Sequence, residues 1–575
     1  MESPVAGDGA KHAEVVGDER RGGGPCEADA AAVGVVGEDE ARDDGGERDM
    51  ANEAEDRLPR CEMWARWFAD NAPVSAIRRT PEPTRLTVPR WFIEPTLLPP
   101  WPPYPKVFAP IYRDRMPSKP WSSVAVLGLF IAGSTGCGGE ADHPVAVRAP
   151  DFLVERTGGT TAAREFRGRP YNQSARSLNN SEFARFGRGA LTFDAHLTAD
   201  GGLGPVFNED SCLSCHLDGE TEVDREPGRP GPGLLLRLSV PGATATGAPL
   251  GEPTYGGQLQ DRALAGATRE GLIDIAWTEV SGRYPDGTRY SLRRPTYSVG
   301  SPTAGPVSPA VLLSARIAPP MTGMGLLEAI PEAKIVAAAD PDDVNTDGIS
   351  GRTNRVWDDT LGAGVLGRFG WKAGQPTVRQ QTVGAMANDM GFTTPDQPDP
   401  CHGQGSACSL PAQSAPEMSA TDLADQVFYN RTIAVPIARR VDDPSVVRGA
   451  NTFVDLGCAA CHTTTWTTGH DEVVGLSDQT IHPFTDLLLH DMGDGLADGR
   501  PEFEATGREW RTAPLWGLGR RKEVTGFDSL LHDGRARGPE EAILWHGGEA
   551  TAAKTAFVGA PRSARQDLLA FLGAL

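Results

Sequence analysis

Two five-residue runs carry residue types at a spacing that suits chemistry: Cys212-Leu213-Ser214-Cys215-His216 and Cys458-Ala459-Ala460-Cys461-His462. Two thiols separated by two residues can add across the two vinyl groups of a haem, and the adjoining histidine then reaches the proximal iron position. The same residue types also build zinc ribbons and redox dithiols. A zinc site joining the four cysteines would leave two histidines far apart in sequence, unlike ribbon spacing. The runs therefore point to two covalently bound c-type haems. Cys212, Cys215, Cys458 and Cys461 are the anchors, and His216 and His462 the iron ligands.

Two further groups have chemical potential. Asp343-Val344-Asn345-Thr346-Asp347-Gly348 opens like an oxygen-ligand calcium loop, but Asn354 stands where the bidentate Glu belongs. Calcium through Asp343, Asn345 and Asp347 and a plain Asp-rich turn both remain open. Cys401 and Cys408 share a Pro/Gly-rich loop, which in an exported protein reads as a disulfide. A redox pair would want C-x-x-C spacing.

Export is expected from the stretch after Met116. Lys119, the apolar run 124–132 and small residues before Cys137 have the order of a signal peptide, and the run is too short to span a bilayer. Ser-Thr-Gly before Cys137 resembles a bacterial lipoprotein signal, although Ser134 replaces the usual Leu. Residues 1–115 read as a disordered extension or one preceding the true start, 116–136 as the signal, and Cys137 as the lipidated first residue of a periplasmic protein. Residues 1–60 hold 17 acidic and 7 basic residues and almost no aromatics, too little apolar surface to offset ordering entropy. The net charge of −22 and the lack of a clustered basic face argue against nucleic acid as a partner. The lipid anchor is the only membrane contact expected.

Longer phrases add a family resemblance. Gly204–His216, Gly323-Met-Gly-Leu-Leu-Glu-Ala-Ile-Pro-Glu332, Asp347–Arg352, Gly367–Lys372, Asp486–Gly493 and Leu531–Arg537 resemble, in order, the bacterial di-haem oxidoreductases, relatives of the dihaem cytochrome c peroxidases. The resemblance covers about 150–575. It implies an oxidoreductase of peroxidase type, taking electrons from a small soluble cytochrome c or copper protein through the second haem to a reactive first haem that reduces hydrogen peroxide. A dihaem electron relay and an oxidase of thiol or protein substrates are the alternatives.

In those peroxidases the second haem's distal ligand lies fourteen residues beyond the His of a His-Asp-Gly phrase. Here that phrase is His532-Asp533-Gly534, and the position holds His546 where the peroxidases have Met and related cofactor-maturing enzymes Tyr. His490 and Met492 are rivals, His490 being more simply a packed histidine. By the same resemblance Glu328, then Glu332, stands for the carboxylate that moves a proton between peroxide oxygens. A helix-surface carboxylate remains the other reading of each.

The elements expected to position these residues are mainly α: two cytochrome c-like haem domains, 137–435 and 436–575, with loop and short β insertions in the first. Residues 446–455 read as a helix ahead of the second run. Leu568, Leu569, Phe571, Leu572 and Leu575 mark a terminal amphipathic helix that crosses it.

Overall fold

The computed structural model describes residues 148–164, 170–216, 233–411 and 414–575. The N-terminal extension, the signal and Cys137 lie outside them. Helices take 30% of the residues and strands 20%, spread over many small sheets, which corrects the expectation of a mainly α fold. The difference arises between residues 234 and 317, where strands are longer than the sequence suggests.

Four strands matter there: β1 (Leu234–Ala243), β2 (Leu272–Arg283), β3 (Arg289–Gly300) and β4 (Leu312–Ile317). β2 and β3 pair antiparallel along their whole length, from Leu272 opposite Gly300 to Arg283 opposite Arg289. The turn between them uses Asp286-Gly287: Gly287 sits at φ 87° and Asp286 Oδ1 accepts from Thr288 N. β1 pairs antiparallel with β4. Leu234, Leu236 and Leu238 bury one face against Tyr255, Ile273 and Ile317. Leu235 and Arg237 point to the opposite face by the period-two rule. An unbroken Leu-Leu-Leu run hides that alternation in the sequence.

Helix α1 (Asn180–Asp194) starts with a reciprocal capping box between Asn179 and Glu182. It lies on the helix Ala420–Thr432, where Gly189 meets the Asp425 carbonyl and Arg185 and Arg188 bracket the Asp425 carboxylate at 2.9 and 2.6 Å. Phe186 and Phe193 pack on Tyr429 within the first core. The second core gathers Phe453, Phe484 and Phe571 in edge-to-face contacts, with Phe152 among them. Tyr284 and Leu292, from the β2–β3 hairpin, join the same core. Both cores draw residues from each side of position 435.

The helix Pro444–Asp455, capped by Asp443 with Pro444 in its first turn, crosses the terminal helix Arg562–Leu572. Gly449 sits at the crossing against the Asp567 carbonyl and Phe571, and Arg448 forks onto the Asp567 carboxylate at 2.7 and 2.9 Å. A Cβ at Gly449 would overlap the Asp567 backbone. Gly449→Val is therefore expected to cost about 3 kcal/mol, the upper range for overpacking, read as a lower urea midpoint; an unchanged midpoint would show that the helices separate freely.

Candidate functional site

The first run forms helix α2 (Cys212–His216), a single turn held at its start by Ser211 Oγ, which accepts from Ser214 N at 3.1 Å. His216 Nδ1 lies 3.0 Å from the Pro319 carbonyl. A carbonyl only accepts, so Nδ1 carries the hydrogen and Nε2 keeps its lone pair for a metal. Burial lowers the His216 pKa, so the ring stays in the neutral, ligating form. Cys212 and Cys215 are free thiols. Burial pushes Cys212 up to about 12 and Cys215 well above the usual range, which opposes the low-pKa thiolate of a redox dithiol.

These residues open on a cavity of about 370 Å³. Phe193, Leu327, Phe369 and Trp371 give it apolar walls, and His216 is the one histidine among its lining residues. Four buried polar atoms of the lining, Arg316 Nη2, Thr322 Oγ1, Gln375 Oε1 and Arg500 Nε, have no hydrogen-bond partner, although Arg316 Nη2 is ion-paired with Glu502. Buried polar groups are normally satisfied. Apolar walls, two free thiols, a ligand-ready imidazole and unmet polar atoms suit a haem with its polar edge. Met321, Met324 and Met390 also line the cavity. The sequence reading passed over these thioethers, although Met321 and Met324 lie just ahead of Leu326-Leu327-Glu328.

At the second run, Gly457 at φ 82° turns the chain out of the preceding helix into Cys458. His462 Nδ1 donates to the Phe484 carbonyl at 2.9 Å, again leaving Nε2 free. Burial pushes His462 down to about 4; the Phe484 bond resists and the neighbouring His546 adds to the fall. His546 follows helix Pro539–Trp545 as its C-cap, with Nδ1 2.7 Å from the Ala542 carbonyl. Burial lowers its pKa too. The structure thus brings His546 near His462, both neutral and both with Nε2 unengaged.

His490 is arranged differently. It lies between Asp486, 2.8 Å from Nε2, and Glu549, 2.7 Å from Nδ1, with Cys461 Sγ at 3.7 Å. Burial opposes its charge, but these bonds outweigh it and push its pKa up to about 12. A protonated ring has no lone pair for iron. Among the described residues, Cys461, Asp486 and His490 are the group whose ligand atoms converge within 4.8 Å; here an ion-paired imidazolium fills it. Met492 packs at the second core. His196 is exposed and bonds Asp210, and His482 is buried with Nδ1 against the Thr464 carbonyl.

Neither candidate carboxylate lines the cavity. Glu328 accepts from Arg431 Nε at 2.6 Å and from Val378 N at 2.8 Å, at the start of the helix Val378–Met390. Arg431 also binds Asp471 and Glu472. Glu328 is a tie between segments, because the single-turn helix Met324–Glu328 turns Leu327 inward and Glu328 away. Glu332 is half-exposed and pairs with Arg355 at 3.0 Å. Two other carboxyls do line the cavity. Glu209, paired with Arg262, is pushed up to about 7 by burial, and burial also raises Asp389.

In the Asp343 loop the side chains close on their own backbone. Asp343 accepts from Gly348 N, Asn345 Oδ1 from Asp347 N, and Asp347 from Ile349 N. Cys401 and Cys408 form a disulfide, with Cα atoms 5.7 Å apart.

The family model described as "Di-haem oxidoreductase, putative peroxidase" matches residues 153–575. No curated protein matches the chain. Among solved structures, a chain of Kuenenia stuttgartiensis hydrazine synthase, pressurized with 20 bar xenon, is 20% identical over 28% of this chain, with a TM-score of 0.19. The match spans 57% of that chain's length. The two C-x-x-C-H runs, each with a ligand-ready histidine, lie within the span matched by the family model. The chain belongs to the di-haem oxidoreductase family, and haem is the cofactor that membership implies.

Proposed function

We propose that the protein is an exported di-haem c-type oxidoreductase of peroxidase type. Cys212, Cys215, Cys458 and Cys461 hold the haems covalently, and the haems supply the one-electron chemistry and the site of peroxide reduction. The C-terminal haem, held by Cys458, Cys461 and His462, would take electrons from a small soluble donor, a cytochrome c or copper protein. The observation that carries the reading is the difference between the two sites. His546 lies close enough to His462 to lower its pKa, whereas His216 opens on a cavity of about 370 Å³ with no second histidine in its lining. A site closed by two imidazoles relays electrons, and one with space beside the iron admits a small oxidant.

The chain's own residues then have defined tasks. His216, His462 and His546 each anchor Nδ1 to a carbonyl and present Nε2. Phe193, Leu327 and Phe369 exclude water from the cavity. Glu209, whose carboxyl gains or loses a proton near neutrality, and Asp389 are placed to move protons there, in place of Glu328 and Glu332. The Cys401–Cys408 disulfide suits an oxidising compartment and supports export to the periplasm, with Cys137 as the lipid anchor.

The methionines of the cavity favour a second reading. If one ligates the first haem, both sites are closed and the protein is an electron relay. Electron paramagnetic resonance of the haem-loaded protein, oxidised and half-reduced, separates the two. A high-spin ferric signal converted by hydrogen peroxide is expected. Two low-spin haems, indifferent to peroxide in both states, would establish the relay. Haem that leaves the chain on acid extraction would refute covalent attachment.

A further inference from the structure

The first cavity holds more positive charge than the protein itself answers. Arg237, Arg316 and Arg500 all line it. Arg237 lies on β1 and Arg316 on β4, where Leu235 is opposite Arg316 and Ser314 opposite Arg237. The two arginines are thus diagonal neighbours on one face of the pair, the face turned from Leu234, Leu236 and Leu238. Arg500 arrives from the C-terminal half of the chain with Glu502.

One carboxylate serves this group. Glu502 Oε2 lies 2.7 Å from Arg316 Nη2 and 2.9 Å from Arg500 Nη1. Burial works against the Glu502 charge, and the surrounding arginines outweigh it and hold the carboxyl well below its usual range. No ion pair reaches Arg237 among the described residues, and the nearby Asp389 is driven towards its neutral form by burial. Arg500, 5% exposed, keeps Nε unpartnered. The other charged linings are answered locally: Glu209 by Arg262, and Arg511 by the Gly370 and Thr512 carbonyls. Among the described residues the three guanidiniums share one carboxylate in direct ion-pair contact, Glu502, and Arg237 has no ion pair of its own. Unpaired buried charge is costly, so a built site of this kind calls for anionic groups.

We propose that Arg237, Arg316 and Arg500, set on Glu502, form a cradle for the two propionate carboxylates of the haem anchored at Cys212 and Cys215. The inference rests on the haem assignment of the proposed function and adds the residues that orient the ring's polar edge. Guanidinium is suited to the task because its planar fork meets a carboxylate with two hydrogen bonds. The cradle also gives the inserted strands a purpose. They bring two arginines over the first site, and the C-terminal half supplies the third, so the polar edge is gripped from both halves of the chain. A soluble carboxylate substrate would satisfy the same chemistry.

The test is the reduction potential of each haem in the doubly loaded protein, followed by spectroelectrochemical titration without added carboxylate. Removing a cation leaves a propionate charge uncompensated and favours the ferric state. Arg237→Gln is expected to lower the first haem's potential by about 59 mV, a tenfold shift in its one-electron equilibrium, while the second haem stays put. Arg237→Lys keeps the charge but loses the fork, so a smaller fall is expected; it also serves if the Gln variant fails to fold. Unmoved potentials in a variant that carries both haems would overturn the proposal. If, in addition, acetate shifts the first haem's spectrum in the wild type and not in the variant, the cradle binds a soluble carboxylate instead. Peroxide reactivity enters none of these readouts, so failure of the peroxidase reading leaves this test intact.

Discussion

His546→Met should raise the reduction potential of the second haem by roughly a few hundred millivolts, within the about 0.8 V that axial ligands span. A thioether is a softer donor than imidazole and favours ferrous iron. The effect should be large because His490, the other histidine that acts on His462, is not ready to take the position. His490 is protonated between Asp486 and Glu549. The geometry around residue 546 tolerates the exchange: His546 caps its helix with its backbone N, which donates to the Ile543 carbonyl whatever the side chain. Spectroelectrochemistry and electron paramagnetic resonance on the same sample provide the measurement. A potential and a low-spin signal identical to wild type would remove His546 from the iron. His546→Ala should instead open the site, giving a high-spin signal at the second haem.

His490→Gln is the complementary experiment, with its effect on stability. His490 is 3% exposed and supplies the positive charge between two carboxylates. Removing it leaves Asp486 and Glu549 without their cation, a loss of about 3–5 kcal/mol for a broken buried pair. The sign with pH follows from the raised pKa. The imidazolium's contribution is whole below about 6.5, where the unfolded ring is also protonated. It drains away as pH climbs towards the folded value of about 12. Urea unfolding at pH 6 and pH 9 should therefore show the wild type losing part of its advantage over the variant at the higher pH. The second haem's low-spin signal should be unchanged at both. An advantage that grows with pH would mean that His490 is neutral in the folded protein, and its candidacy as a ligand would return.

The two C-x-x-C-H runs were legible because they depend on local spacing, thiols two residues apart beside an imidazole; His546 rests on a resemblance that sets a ligand at a fixed distance from His532-Asp533-Gly534, and the structure brings it near His462. The helices of the second half were legible for a similar reason, since Phe453, Leu568, Phe571 and Leu572 sit at helical intervals and are all buried, although Val446 and not the expected Val447 fills the core of the first of them. The Cys401–Cys408 pairing followed from loop composition. Glu328 shows where such reasoning stops. Its phrase resembles the peroxidases, yet one step along a single-turn helix sends Leu327 into the cavity and Glu328 to Arg431. The choice between those faces is made by what packs around the turn, and no sequence interval encodes it.

The strands were underweighted because a period of two is weak evidence when both faces are covered. β1 buries leucines on one face and turns Leu235 and Arg237 to the cavity on the other. By itself the sequence determined the family and pointed to the candidate cofactor anchors and proximal ligands, all of which rest on contiguous residues. Only the tertiary structure decided which buried carboxyls and arginines surround the first site. Glu209, Arg237, Asp389 and Arg500 are distant along the chain, and their protonation and charge pairing depend on burial that exists only once the chain has closed around the cavity.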